Sequence, residues 1–142
     1  MGTLTIIIGL CASGKSHLLQ EKIQKAKYGI FVKDEGFMTE HFEGCYRNLK
    51  AALENDIDAV LAGGEFCYKN NQEIFETRLR EDFEDIEINW IAFENDLEKA
   101  NNNVKKRKNK EDVDGHIEIN SRLTKNYHFP ENYQLREIFV IE

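Results

Sequence analysis

Apolar and polar positions along this chain switch repeatedly between a strand period and a helix period. The run Leu4-Thr5-Ile6-Ile7-Ile8 is short and almost wholly apolar, as a buried strand requires. Over 16–27, Leu18, Leu19, Ile23 and Ala26 recur at helical spacing, and Gly29 follows where a C-cap belongs. Tyr28-Gly29-Ile30-Phe31-Val32 predicts a second strand, ending in the polar Lys33-Asp34-Glu35-Gly36. Met38, Phe42, Cys45, Tyr46, Leu49, Ala52 and Leu53 then mark one helical face over 37–55, interrupted only by Gly44. The third strand is Asp58-Ala59-Val60-Leu61-Ala62, closed by Gly63-Gly64-Glu65.

The second half repeats the alternation. Asn70 or Asn71 can cap a helix, with Glu73 placed for a capping box from Asn70, and Ile74, Phe75, Leu79 and Phe83 on its inner face. Residues 86–93 predict a fourth strand. Asn95, followed by Glu98, starts a fourth helix with Leu97, Ala100 and Val104 inward. A polar stretch then predicts a mobile lid, about 102–116. A fifth helix over 115–127 is stopped by Pro130, and 135–141 predicts the last strand. Strands alternating with helices five times imply an α/β domain over 1–142: three layers, with a five-stranded parallel sheet, helices on both faces and right-handed crossovers.

Between the first strand and the first helix lies Gly9-Leu10-Cys11-Ala12-Ser13-Gly14-Lys15-Ser16, a complete G-x-x-x-x-G-K-[ST] phosphate-binding loop in the context that motif needs. Gly9 and Gly14 allow backbone angles that let successive N–H groups turn inward around phosphate oxygens, and the helix start adds partial positive charge. The motif predicts that Gly9, Cys11, Ala12, Ser13, Gly14, Lys15, Ser16 and His17 bind a nucleotide. Lys15 would reach the β- and γ-phosphates and the Ser16 hydroxyl would ligate Mg²⁺.

Composition narrows the setting. At 142 residues, 41% hydrophobic and 32% charged, this is a soluble-type domain, and no apolar run approaches the roughly 20 residues of a membrane span. No export signal precedes the first strand. Cys11, Cys45 and Cys67 are odd in number and widely spaced, which fits reduced thiols and a cytoplasmic location. A helix start beside Cys11 could lower its pKa; a small loop residue is the plainer reading. The histidines have no metal-ligand spacing. The net charge of −7 argues against a broad duplex-binding surface. Against it stands Lys105-Lys106-Arg107-Lys108-Asn109-Lys110, five positive side chains in six positions, read as phosphate-facing charge on the lid or as a solvated helix end.

Phosphoryl transfer asks a protein to hold donor and acceptor in line and to neutralise charge. Asp34 leaves a strand at the edge where open α/β sheets bind ligands, so it is the candidate base on the acceptor, with Glu35 an alternative and a solvated turn carboxylate the plain reading. Lys106 or Arg107 could supply transition-state charge. Glu65 is a candidate for a metal-bound water or the acceptor, and Arg122 for a phosphate contact. Tyr46, Arg47, Trp90 and Phe93 read as packing or surface residues.

With these residues the chain resembles small P-loop kinases of the polynucleotide-kinase-like and nucleoside-nucleotide kinase group. Phe31-Val32-Lys33-Asp34-Glu35 is similar to the second-strand segment carrying that group's general-base aspartate, at Asp34. Tyr127-His128-Phe129-Pro130-Glu131 is similar to its closing segment with different spacing. Two places depart: Gly63-Gly64-Glu65-Phe66 stands for an acidic-x-x-Asn stretch, and Asn101-Asn102-Asn103 for the first of two lid arginines, with Arg107 at the second. The resemblance implies a P-loop NTPase fold and ATP-dependent transfer to a hydroxyl or phosphate of a nucleoside, nucleotide or polynucleotide 5′ end, with ATP and Mg²⁺ as cofactors and Lys15, Asp34 and Arg107 catalytic. The alternative is a nucleotide-binding regulatory or inhibitory module without transfer.

Overall fold

The computed structural model describes residues 1–26, 29–107 and 112–142. Five parallel strands form one sheet in the order β2-β3-β1-β4-β5: β1 Leu4–Ile8, β2 Ile30–Asp34, β3 Asp58–Ala62, β4 Ile88–Phe93 and β5 Tyr133–Arg136. β1 is central, registered with β3 through Leu4 and Ala59 and with β4 through Ile6 and Trp90. That central place explains why Leu4, Ile6, Ile7 and Ile8 are fully buried.

Helices α1 Lys15–Lys25, α2 Phe42–Glu54, α3 Lys69–Asp82, α4 Leu97–Lys106 and α5 Val113–Asn126 fill the connections. From β1 to β2 the chain moves one way across the sheet, and every later step moves the other way. Right-handed crossovers therefore put α1 on one face and the remaining helices on the opposite face, giving three layers. All strands point the same way, so the loops after β1, β2, β3 and β4 gather at one edge.

Several boundaries differ from expectation, each for a local reason. β2 runs on through Asp34, because Asp34 pairs with Ala62 in the sheet. α2 starts at Phe42 rather than near 37: the Thr39 hydroxyl donates to the Gly36 carbonyl at 2.8 Å, forming a turn. Phe37 instead plugs a cluster with Phe42, Phe66 and Phe75, at ring distances of 5.6, 6.0 and 5.2 Å. Neither Asn70 nor Asn71 caps α3, which begins at Lys69; the Asn71 amide donates to the Glu65 carbonyl at 2.7 Å. The inner stripe of α3 is Gln72, Phe75 and Leu79, leaving Ile74 49% exposed rather than inward. Asp96, not Asn95, caps α4 by accepting from the Lys99 N–H at 3.1 Å, while Asn95 pairs with the Thr124 hydroxyl at 2.7 Å.

The last strand differs most. β5 covers 133–136, not 135–141, and is exposed throughout, while Ile138 beyond it is buried. The apolar run 138–141 is spent on crossing the loop edge instead. The expected lid, 102–116, falls on the end of α4 and the start of α5, and Lys108 and Lys110 of the basic run lie outside the described residues. Trp90 and Phe93 are buried in β4. Tyr46 is buried as well: its hydroxyl donates to Asp82 at 2.5 Å and Arg78 lies 4.4 Å above its ring. No helix among the described residues is long and apolar enough to cross a membrane.

Candidate functional site: the loop after the first strand

The loop of residues 9–14 joins the central strand to α1. Gly14 sits at the helix N-cap with φ 115°, a left-handed conformation that a Cβ resists, and Ala12 has φ 64°. This alternation of backbone hand turns N–H groups toward one concavity. Gly9 is needed for space rather than for its angle, contrary to expectation: a Cβ there would lie 2.6 Å from the Ser13 Oγ and 3.1 Å from the Phe93 Cβ. Ser13 is fully buried beneath the loop, and its hydroxyl has no hydrogen-bond partner among the described residues.

Lys15 is the first residue of α1 and is 9% exposed. Its Nζ turns back to donate to the Gly9 and Leu10 carbonyls at 2.8 and 2.7 Å. An ammonium held by two carbonyls at the mouth of a helix without acidic residues in its first turn makes a locally positive loop. Such a loop can cradle an anion.

Around it opens a cleft of ≈ 310 Å³, which brings together Cys11, Ala12, Gly14, Lys15, Ser16 and His17 from the loop and α1. Asp34 reaches the same cleft from the end of β2, and Arg107 from the residue after α4. Gly9 and Ser13 lie under the loop rather than on the cleft wall, and Lys106 is exposed on the last turn of α4, away from that wall. Ser16 and His17 are exposed; the His17 Nε2 lies 3.4 Å from Glu21, one turn on. Glu65 does not line this cleft; its Oε1 accepts from the Phe37 N–H at 2.9 Å.

Partial burial raises the Asp34 carboxyl above its ordinary value, helped by the Glu35 charge beside it and opposed by Lys15. A more basic carboxylate at a cleft wall is a better proton acceptor. Burial also pushes the Cys11 thiol up, outweighing Lys15 and Arg107, so the expected lowering by the helix start does not win. Cys67, below the loop with its Sγ 3.6 Å from the Gly9 carbonyl, is pushed up to about 12 by burial.

Three further residues complete the site: two asparagines hold the loop in place, and a histidine meets Arg107. Asn120 of α5 is fully buried against Cys11 and also donates to the Asn101 Oδ1 at 3.1 Å. Asn103 of α4 donates to the Ala12 carbonyl at 3.0 Å and to the Phe139 carbonyl, and its Oδ1 accepts from the Ile141 N–H at 2.9 Å. His116, given no role from sequence, meets the Arg107 guanidinium through its Nδ1 and lines the cleft. The signal was present for two of them. Asn103 shares the buried face of Ala100 and Val104, and Asn120 that of Leu123. An amide on an apolar stripe must find partners, and here it finds the loop backbone.

No family model and no curated protein matches the chain. A solved structure described as "Crystal structure of APE1195" is similar, with a TM-score of 0.69 and 22% identity, covering 97% of this chain and 85% of that one. At that identity the likeness bears on the fold alone: an α/β domain with an all-parallel five-stranded sheet.

Proposed function

We propose that this chain has a P-loop NTPase fold and is an ATP-dependent phosphotransferase, moving the γ-phosphate to a hydroxyl or phosphate of a nucleoside, nucleotide or polynucleotide 5′ end. The observation that carries the reading is the shared cleft: a glycine-bounded loop with Lys15 at its helix start faces a carboxylate, Asp34, made basic by its surroundings.

In this reading the loop N–H groups and Lys15 hold the donor phosphates, Lys15 exchanging the Gly9 and Leu10 carbonyls for phosphate oxygens. Ser16, an exposed hydroxyl on the cleft wall, fits the oxygen chemistry that Mg²⁺ prefers and would hold it. When bound, that ion neutralises charge on the transferring group. Asp34 orients the acceptor hydroxyl and takes its proton, and Arg107, steadied by His116, offsets charge on the moving phosphoryl group.

A second reading, a nucleotide-binding regulatory or inhibitory module, draws on one observation. Asn103, one of the three asparagines standing where the resembled kinases carry a first lid arginine, is spent on structural hydrogen bonds. The two readings separate on Asp34. Transfer from γ-labelled ATP in Mg²⁺ to nucleosides, nucleotides and 5′-hydroxyl oligonucleotides is expected from the native chain and lost in Asp34→Asn. ATP binding without transfer to any acceptor would favour the module.

A further inference from the structure

A second hollow, of ≈ 360 Å³, adjoins the cleft and shares Cys11, Lys15, Glu35 and His116 with it. Its far wall belongs to different elements. Tyr68 comes from the start of α3, and Ile119 and Leu123 come from α5, making one apolar side. The polar side carries two carboxylates: Glu35, exposed after β2, and Glu65, whose carboxylate is fixed at the hollow by its bond to the Phe37 N–H. Of the two basic side chains in the lining, Lys15 is engaged by loop carbonyls. The other, Arg122, is exposed on α5.

We infer that this hollow takes the acceptor, and that the acceptor is a small hydroxyl compound carrying no phosphate. The inference rests on the phosphotransfer reading and narrows it. A volume at the small end of ligand pockets admits a compound of roughly nucleoside or monosaccharide size. A phosphate-bearing acceptor would bring negative charge against Glu35 and Glu65 while the donor phosphates occupy Lys15. A neutral polyol or nucleoside meets no such repulsion. It lays its apolar face on Tyr68, Ile119 and Leu123, and its hydroxyls donate to the two carboxylates.

In the transfer step, the acceptor oxygen bonds to the γ-phosphorus as the bond from that phosphorus to the β–γ bridging oxygen breaks. ADP leaves with the electron pair, and the reacting hydroxyl, projecting from the hollow into the adjoining cleft, gives its proton to the Asp34 carboxylate on the cleft wall.

The test uses the whole chain. ATP binding in Mg²⁺ is measured first. Transfer from γ-labelled ATP is then compared between a panel of nucleosides, monosaccharides and polyols and a panel of nucleoside monophosphates and 5′-hydroxyl oligonucleotides. The expected result is transfer to a member of the first panel, with its KM raised about tenfold by Ile119→Asp and changed less than about twofold by Arg122→Gln. Because Ile119 is half-buried, the exposed Arg122 variant supplies a readout that does not depend on the fold surviving. Transfer to the second panel alone, or a tenfold rise in acceptor KM in Arg122→Gln, overturns the assignment. So does transfer to neither panel while ATP binds, an outcome that also moves the proposed function to the nucleotide-binding module. No ATP binding at all overturns both.

Discussion

Asn120 grips Cys11 at both ends of one residue: its Oδ1 accepts from the Cys11 N–H at 2.6 Å and its Nδ2 donates to the Cys11 carbonyl at 3.2 Å. The two residues are 109 positions apart, so a helix late in the chain sets the shape of a loop near its start. Replacing Asn120, itself fully buried, with Ala removes the partner of two backbone groups and of the Asn101 Oδ1. The expected cost is about 2–3 kcal/mol, read as a fall in Tm of about 5–10 °C. Asn120→Asp should not recover it: one carboxylate oxygen still accepts from the Cys11 N–H, but the other replaces a donor and faces two acceptors, the Cys11 carbonyl and the Asn101 Oδ1, at a fully buried position. A variant as stable as the native chain would mean that the loop keeps its shape without α5.

Asp34→Asn should lower transfer by about 10²–10⁴-fold with ATP affinity little changed. Its stability should move the other way. The native carboxyl is raised above its ordinary value, so between those two values the folded chain binds more protons than the unfolded one. Stability from this group is therefore present at low pH and lost as pH rises through the raised value. At neutral pH the native chain bears the cost of an ionised Asp34, and the Asn variant does not. Thermal melts at pH 7 should show the inactive variant at least as stable as the active chain, the mark of a group kept for chemistry. Transfer itself should rise with pH through the same raised value.

Two glycines predict opposite outcomes for the same substitution. Gly44 lies within α2, and a Cβ there would meet no atom within 4 Å. Gly44→Ala should stabilise by about 0.5–1 kcal/mol through helix propensity and a less flexible unfolded chain. Gly14 is held at φ 115°, where a Cβ also approaches the Phe93 ring at 3.3 Å. Gly14→Ala should destabilise by roughly 1–2 kcal/mol and weaken ATP binding as well. Urea unfolding of the two variants side by side checks both signs.

What the sequence made legible follows the range of the interactions involved. β3 matches its expected span, 58–62, because an apolar run between breakers is a local signal. Each element's type was likewise written in its periodicity. The placement of Asp34 and Lys15 on one cleft followed from strand direction alone, since parallel strands deliver their ends to one edge. The pieces that escaped depend on distant partners. The residues 138–141 look like a strand, but Asn103 and Ser13 engage the backbone at Phe139 and Ile141, ending the ladder at Arg136. The direction of the Cys11 shift escaped for the same reason: its nearest sequence neighbours suggest a positive environment, while burial in the folded chain decides the sign.

That reversal at Cys11 yields the sharpest chemical prediction. Lys15 and Arg107 pull the thiol toward thiolate, burial pushes it away, and burial is the larger effect. Cys11 should therefore react with an aromatic disulfide reagent at pH 8 more slowly in the native chain than in urea, where its pKa is ordinary. Cys67 should not react at all in the native state: at about 12, only roughly one thiol in ten thousand is ionised at that pH, and the sulfur is enclosed. Unfolding should expose all three thiols at equal rates. Faster labelling of Cys11 in the native chain than in urea would reverse the order of the two effects. It would also mark the loop as electropositive enough to activate a thiol, and oxidation of Cys11 would then compete with any anion held there.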